Sequence, residues 1–337
     1  MSEAFTWPEP VVYGETADLP IARIRRGRGF SYRDRDGEPI KNRDARARFD
    51  ALAIPPAWEE VRIATDGNRH VQAIGRDAKH RKQYRYHPSW IEQNKRRDFD
   101  RLPAFAAALP KIREFIDTQF RRQAMDRERM TGVALRLLEQ TLIRVGNDAY
   151  VVSNGSYGLT TLTDRQVKAN GSSVTFRFVA KGGKETRIDL HDARAARAVK
   201  RCHELPGHRL LQYVDDDGEV CPLTSTEINQ ALHELTGETF TAKTFRTWGG
   251  TVDAFERLAT QPLPESEAEQ ARILNQHLRE TARVLGNTLA VCRKYYVHPQ
   301  LIDAYRDGSL ATLRADVRAR RGLTGTETAT LRFLSGA

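Results

Sequence analysis

The tract Arg76-Asp77-Ala78-Lys79-His80-Arg81-Lys82-Gln83-Tyr84-Arg85-Tyr86-His87-Pro88 divides the chain into two kinds of patterning. Before it, after an extended lead-in with Pro8, Pro10 and Pro20, come strand-like runs at Ile21 to Tyr32, Val61 to Ala64 and His70 to Ile74. Asp36-Gly37 and Asp66-Gly67-Asn68 supply the turn signals between strands. A short helix over Asp44 to Ala53 intervenes and is broken by Ile54-Pro55-Pro56. After the tract, helices are expected over Trp90 to Arg101, Lys111 to Met125 and Thr131 to Ile143, the last with apolar residues at three-to-four spacing. A chain of 337 residues is too long for one ordinary core. The pattern predicts an α+β protein: a small β-rich domain over residues 1–100 and a larger, mostly helical domain over residues 101–337.

The tract interleaves cations with aromatics, and the whole chain carries a formal charge of +10. That balance favours a polyanionic partner. Gln72 and Gln83 are candidates for reading base edges, and Arg81, Lys82 and Arg85 for holding phosphates. The competing reading is a solvated charged face with Tyr84 and Tyr86 packed beneath it. Mean hydropathy is −0.60 and no stretch suits a bilayer. The N-terminus has no signal-peptide pattern, so a cytoplasmic, nucleoid-associated protein is expected. Three scattered cysteines point to a reducing compartment, and the nine histidines lack ligand spacing. Gly-rich phosphate loops are missing from the sequence. Neither a metal nor a nucleotide cofactor is therefore expected.

In the second half, the helix over Thr131 to Ile143 delivers Arg144-Val145-Gly146-Asn147. Leu159 to Leu162, Ser173 to Ala180 and Thr186 to Leu190 read as strands. The last two flank Lys181-Gly182-Gly183-Lys184, a tight hairpin turn. From Asp192 the pattern is mainly helical, with a turn at Asp215 to Gly218. Gly286 can end one helix in a left-handed conformation, Thr288 can cap the next, and Pro299 biases His298 out of helix. Between them lies Arg293-Lys294-Tyr295-Tyr296.

Breaking a phosphodiester without metal or ATP needs a nucleophile that keeps the bond energy in a covalent adduct. It also needs fixed positive charge on the non-bridging oxygens, a proton donor for the leaving oxygen and a basic surface for the duplex. Tyr296 is the candidate nucleophile, Arg144 and Arg246 the fixed charges, and Lys181, at a hairpin tip, the group that can reach into a groove.

Taken in order, helix-Arg-Val-Gly-Asn, the Lys-Gly-Gly-Lys hairpin, Lys243-x-x-Arg246-Thr247, Gly286-Asn287-Thr288 and a tyrosine after a basic pair resemble the type IB DNA topoisomerases. The short poxvirus-like bacterial branch is the most similar. Arg81-Lys82-Gln83-Tyr84-x-Tyr86 also resembles that family's N-terminal clamp domain, and the likeness runs from about residue 20 to 310. The resemblance implies catalytic positions for Arg144, Lys181, Arg246 and Tyr296, and for Asn287 where many members have histidine. It implies DNA contacts by Tyr84, by Tyr150 and by Lys243, the last near the scissile phosphate. Family spacing from Asn287 selects Tyr296 over Tyr295. Asn287 and Tyr296 would face opposite ways on one straight helix, so a break at Gly286 to Thr288 is required.

The implied activity is relaxation of positive and negative supercoils by transient single-strand cleavage through a 3′-phosphotyrosyl intermediate. A monomer clamped on duplex DNA, with no cofactor, is expected. A tyrosine recombinase would share the chemistry, but that class usually has His-x-x-Arg where this chain has Lys243-x-x-Arg246. A non-catalytic DNA-binding protein would explain the charge and not the catalytic positions.

Overall fold

A computed structural model describes residues 6–15, 18–310, 318–320 and 322–336. The chain divides into two units, Met1–Arg97 and Asp98–Ala337.

The first unit is built on β1 (Ile21–Arg26), β2 (Gly29–Arg33), helix α1 (Arg43–Ala51), β3 (Glu59–Ile63), β4 (Val71–Arg76) and β5 (Lys82–Tyr86). The strands form one antiparallel sheet in the order β2-β1-β3-β4-β5. The single basic run expected over Ile21 to Tyr32 is in fact a hairpin, because Gly27 takes φ 53° and turns the chain. Asn42 caps α1 by accepting from the Ala45 N–H at 2.9 Å, and Phe49 enters a core with Ile21, Tyr32, Val61, Ile63 and Ala73. Gly75 lets Trp58 and Val61 close on β4, since a Cβ there would sit 2.9 Å from Val61.

Helix α2 (Pro88–Asp100) leads into the second unit, followed by α3 (Leu102–Arg121), α4 (Arg127–Thr141) and α5 (Asp148–Asn154). Helix α3 starts earlier than expected and runs through Pro110. Proline removes one ladder hydrogen bond. Burial of Leu102, Phe105, Leu109, Ile112 and Ile116 at helical spacing holds the helix together across it. Strands β6 (Val167–Asn170), β7 (Ser173–Ala180) and β8 (Lys184–His191) make a three-stranded antiparallel sheet. Next come α6 (Ala193–Cys202), the small hairpin β9 (Gln212–Val214) and β10 (Val220–Pro222), then α7 (Ser225–Thr236) and α8 (Ala242–Ala259). The rest is α9 (Glu267–Val284), α10 (Leu289–Tyr295), α11 (Pro299–Arg306) and α12 (Gly325–Ser335).

Leu159 to Leu162, expected as a strand, is instead a single 3₁₀ turn over Leu159–Thr161. The Leu159 and Thr160 N–H groups bond to the loop after α4 rather than to a neighbouring strand. One core surrounds α3 and α4, and a second lies between α8, α9, α10 and α11. Glu327 on α12 is buried and pairs with Arg113 on α3 at 2.7 Å, fixing the C-terminal helix. Among the described residues no helix is long and apolar enough to cross a membrane.

Candidate active site and nucleic-acid-binding surface

Helix α4 ends at Leu142, which takes a left-handed conformation with φ 51°. The reversal turns its carbonyl toward Arg246, which donates to it. Residues 144–147 then run out as a loop that Gly146, at φ 96°, folds against Gly158. A Cβ on Gly158 would sit 2.5 Å from Gly146 Cα and 2.6 Å from the Arg144 carbonyl, so only glycine fits. That approach lets Leu159 and Thr160 N–H groups donate to the Arg144 and Val145 carbonyls at 2.8 and 2.7 Å. The backbone of Arg144 is thereby fixed, and its guanidinium donates to Asn287 Oδ1.

The break required between Asn287 and Tyr296 is present. Helix α9 closes with Gly286 at φ 63°, the Gly286 N–H on Arg283 O at 3.0 Å and the Asn287 N–H on Ala282 O at 2.8 Å. These are the paired bonds of a Schellman motif. Thr288 then caps α10 by accepting from the Val291 N–H at 3.3 Å. Asn287 thus sits between two helices with its backbone N–H satisfied. Its amide oxygen faces Arg144 and lies 3.5 Å from Arg246 Nη2. Two guanidinium donors fix the amide's orientation, since turning it over would set N–H against N–H. Asn287 Nδ2 is left buried without a partner.

Arg246 comes from the buried face of α8 and is 3 % exposed. Beyond Leu142 it donates to Leu285 O at 2.8 Å, and its Nε is buried without a partner. Its guanidinium carbon lies 5.0 Å from the centre of the Tyr296 ring. Burial pushes Arg246 down to about 10, leaving it charged at neutral pH. Tyr296 is the residue that ends α10, with φ −133° and its N–H on Cys292 O. Burial pushes its phenol up, but the charges of Arg246, Arg144 and Lys243 and an Arg246 hydrogen bond outweigh that, so it ionises below the usual tyrosine range. Tyr295 lies under Lys294 instead, 5.3 Å from that ammonium.

Two residues that sequence reasoning missed hold the tyrosine. Gly250 admits the Tyr296 carbonyl, which would lie 2.7 Å from any added Cβ. Thr251 Oγ1, fully buried on α8, lies 3.3 Å from Tyr296 O and accepts from the His298 N–H at 3.2 Å. Their sequence signal is only a small-residue step one turn after Arg246.

Arg144, Lys181, Lys243, Arg246 and Tyr296 line one cleft of about 270 Å³. Lys181 is exposed at the β7–β8 turn, where Gly182 and Gly183 take φ 85° and 75°. Lys243, one turn before Arg246 on α8, pairs with Asp98 at 2.5 Å. Ser156 also lines the cleft, 6 % exposed with its hydroxyl unpartnered. Among the described residues there is no group of three or more His, Cys, Asp or Glu side chains that could hold a metal.

The sequence model of a family described as "Eukaryotic DNA topoisomerase I, catalytic core" matches residues 82–320. A second, "Bacterial DNA topoisomerase IB, N-terminal domain", matches residues 29–77. This chain belongs to the type IB DNA topoisomerases. It is 30 % identical over 295 residues to DNA topoisomerase 1B of Acanthamoeba polyphaga mimivirus, covering 85 % of this chain and 88 % of that one. DNA topoisomerase I of monkeypox virus is 22 % identical over 265 residues, and DNA topoisomerase 1B of vaccinia virus (strain Copenhagen) 21 % over the same length. Each of these two alignments covers 77 % of this chain and 78 % of the relative. The topoisomerase is thus an isomerase acting on DNA, with a bacterial-type N-terminal domain.

The N-terminal candidates of this topoisomerase separate by strand alternation. Lys82, Tyr84 and Tyr86 are exposed along one side of β5; the two tyrosine rings stack at 5.9 Å and Lys82 lies 5.4 Å from the Tyr84 ring. The reading that Tyr84 and Tyr86 pack beneath the charges is therefore wrong, and Tyr86 joins the exposed row. Its signal was the period of two from Lys82. Gln83 and Arg85 alternate with them and are half-buried. Arg81 and Gln83 both bond to Asp77.

Arg85 donates to Ala53 O at 2.6 Å and packs 5.5 Å from the Trp58 ring, which ties it into the sheet. One candidate is corrected. Gln72 is fully buried; its amide oxygen accepts from Arg48 at 2.7 Å, and its nitrogen donates to the carbonyls of Asp66, Gly67 and Arg69. It has no edge left for a base. The side chain of Tyr150, on α5, lies outside the described residues.

Proposed function

We propose that this topoisomerase relaxes positive and negative supercoils by transient cleavage of one strand. Tyr296, as phenolate, attacks a backbone phosphate and forms a 3′-phosphotyrosyl bond while the 5′-oxygen leaves. Lys181 protonates that oxygen. The cut strand swivels, then the 5′-hydroxyl returns its proton, attacks phosphorus and releases Tyr296. The phosphodiester energy stays in the adduct, so resealing requires neither ATP nor metal.

The observation that carries this reading is the convergence of Arg144, Arg246 and Asn287 beside Tyr296 with donors left over: Arg246 Nε and Asn287 Nδ2 are buried and unpartnered. Unsatisfied buried donors are costly unless a ligand completes them. A phosphate's non-bridging oxygens would, and in the transition state would do so more strongly. Lys243 would hold the scissile or an adjacent phosphate after leaving Asp98. Lys82 and Tyr84, with Arg81 and Gln83 behind them, would supply grip on the duplex, and Tyr150 a contact near the cleavage site. The N-terminal residues 1–100 would act as a clamp for the catalytic residues 101–337 in a monomer working on the nucleoid.

The test is plasmid relaxation in EDTA without ATP, on substrates of either supercoil sign, with covalent adduct read on a denaturing gel. Tyr296→Phe should lose relaxation and adduct yet keep DNA binding. Tyr295→Phe should retain both activities. The reverse pattern would move the nucleophile by one residue, and a requirement for added metal or ATP would refute the cofactor-free cycle.

A further inference from the structure

The turn between β4 and β5 is organised on one carboxylate. Asp77 Oδ1 accepts from the Lys79 and Arg81 backbone N–H groups at 2.9 and 3.0 Å. Oδ2 accepts from Arg81 Nε at 2.7 Å, from Arg81 Nη2 at 2.6 Å and from Gln83 Nε2 at 3.0 Å. His80, at φ 56°, closes the loop with its N–H on Asp77 O at 2.8 Å. An acid in the middle of the basic tract opposes the pull of that tract on DNA and partly neutralises Arg81. Holding the turn does not require this much, because serine or asparagine can accept from the same backbone groups. What a carboxylate adds is a second accepting oxygen, which takes the Arg81 guanidinium and the Gln83 amide together.

A glutamine amide has a donor end and an acceptor end, interchangeable by a half-turn. Asp77 accepts only, so it selects the NH₂ end. One amide hydrogen goes to Asp77; the amide oxygen and the second hydrogen remain for a ligand. An acceptor beside a donor complements the major-groove edge of adenine, which shows an amino donor and the N7 acceptor. Guanine shows two acceptors there.

We infer that Asp77 is a specificity-determining positioning residue, which fixes the Gln83 amide so that the N-terminal domain reads adenine rather than guanine at one base pair. The inference rests on the proposed contact between the β5 region and duplex DNA.

The test maps cleavage positions of the full-length enzyme on a long duplex of random sequence, for the parent, Asp77→Asn, Asp77→Ser and Gln83→Ala. Asparagine is nearly isosteric but turns a donor toward Gln83, which then flips. Serine keeps an acceptor for the turn and lacks the reach to Gln83, so it serves should the asparagine variant fail to fold; thermal melts establish folding. The parent should show one position with an adenine preference. Both Asp77 variants should lose it by about tenfold, within the scale of one bidentate base contact, at the same position as Gln83→Ala. Folded Asp77 variants that keep the preference while Gln83→Ala loses it would overturn the role of Asp77 alone. A Gln83→Ala profile identical to the parent's would overturn the base contact itself, and the inference with it.

Discussion

Asn287→Asp separates two roles that the structure combines in one side chain. The amide oxygen accepts from Arg144 and lies 3.5 Å from Arg246, while the amide nitrogen is buried and unpartnered. If the residue only orients the arginines, aspartate should match or improve on asparagine, because it accepts more strongly. If the nitrogen donates to the transition-state oxygens, aspartate removes that donor and adds a negative charge beside the phosphate. Losing one such donor costs roughly 10²–10³ in rate, which is the loss expected for Asn287→Ala. A unit charge about 4 Å away adds about 4 kcal/mol of repulsion at an effective dielectric of 20, nearly another 10³. Asn287→Asp should therefore cleave about 10⁵–10⁶ more slowly than the parent and be worse than Asn287→Ala. Asn287→His should keep substantial activity, since imidazole places a donor in a similar position. The parent should show no rate step near the histidine pKa of ~6.5 that traces to this site. Single-turnover cleavage of a suicide duplex across pH reads all four proteins. An aspartate variant faster than the alanine variant would refute the donor role, and a fully active alanine variant would reduce Asn287 to a helix end.

Lys181→Ala should slow cleavage of an ordinary phosphodiester by roughly 10²–10⁴, the scale of general acid catalysis. It should spare a 5′-bridging phosphorothiolate, and equal losses on both would remove Lys181 from the acid role. Thr251→Val should lower single-turnover cleavage by roughly 10–100-fold through misplacement of Tyr296, with DNA affinity intact and Thr251→Ser near the parent. Loss of affinity in step with rate would point to a general packing defect instead. Burial pushes the Glu327 carboxyl up, but the Arg113 bond and the Thr324 N–H outweigh it and hold it below the usual range. A depressed carboxyl stabilises the fold fully above its ordinary pKa of about 4.3 and loses that contribution as pH falls through its folded value. Glu327→Gln should therefore melt lower at pH 7, by about 1–3 kcal/mol, and converge on the parent in acid. A constant difference at every pH would contradict the pairing.

The segregation of strands and helices was legible because periodicity changes at Pro88, and the surroundings of Tyr296 were legible because glycine and threonine mark helix ends by local rules. Gly286 and Thr288 behave as their types dictate. What failed depended on partners distant in sequence. Gln72 looked like a base reader in a basic neighbourhood, but Arg48, from α1, turns it into a buried hub. Leu159–Thr161 carries β-branched residues and still forms a 3₁₀ turn, because the Gly146–Gly158 approach recruits its N–H groups. A helix was expected only from Lys111, but packing carries it back through Pro110 to Leu102.

The proposed catalytic residues have a common mount in α8. From Arg246 to Thr251, little more than one turn contacts three other parts of the site. Arg246 bonds the carbonyls that end α4 and α9, Gly249 admits the Leu142 side chain, and Gly250 and Thr251 contact Tyr296. Tyr296 and Arg246 therefore cannot drift apart without breaking the same short helix segment. The mount also explains why Arg144 and Arg246 meet on an amide rather than a carboxylate. A carboxylate would satisfy both cations and leave phosphate nothing to add. Asparagine accepts from them without neutralising them, so the site keeps its positive charge and two buried donors, as the proposed phosphate contact requires.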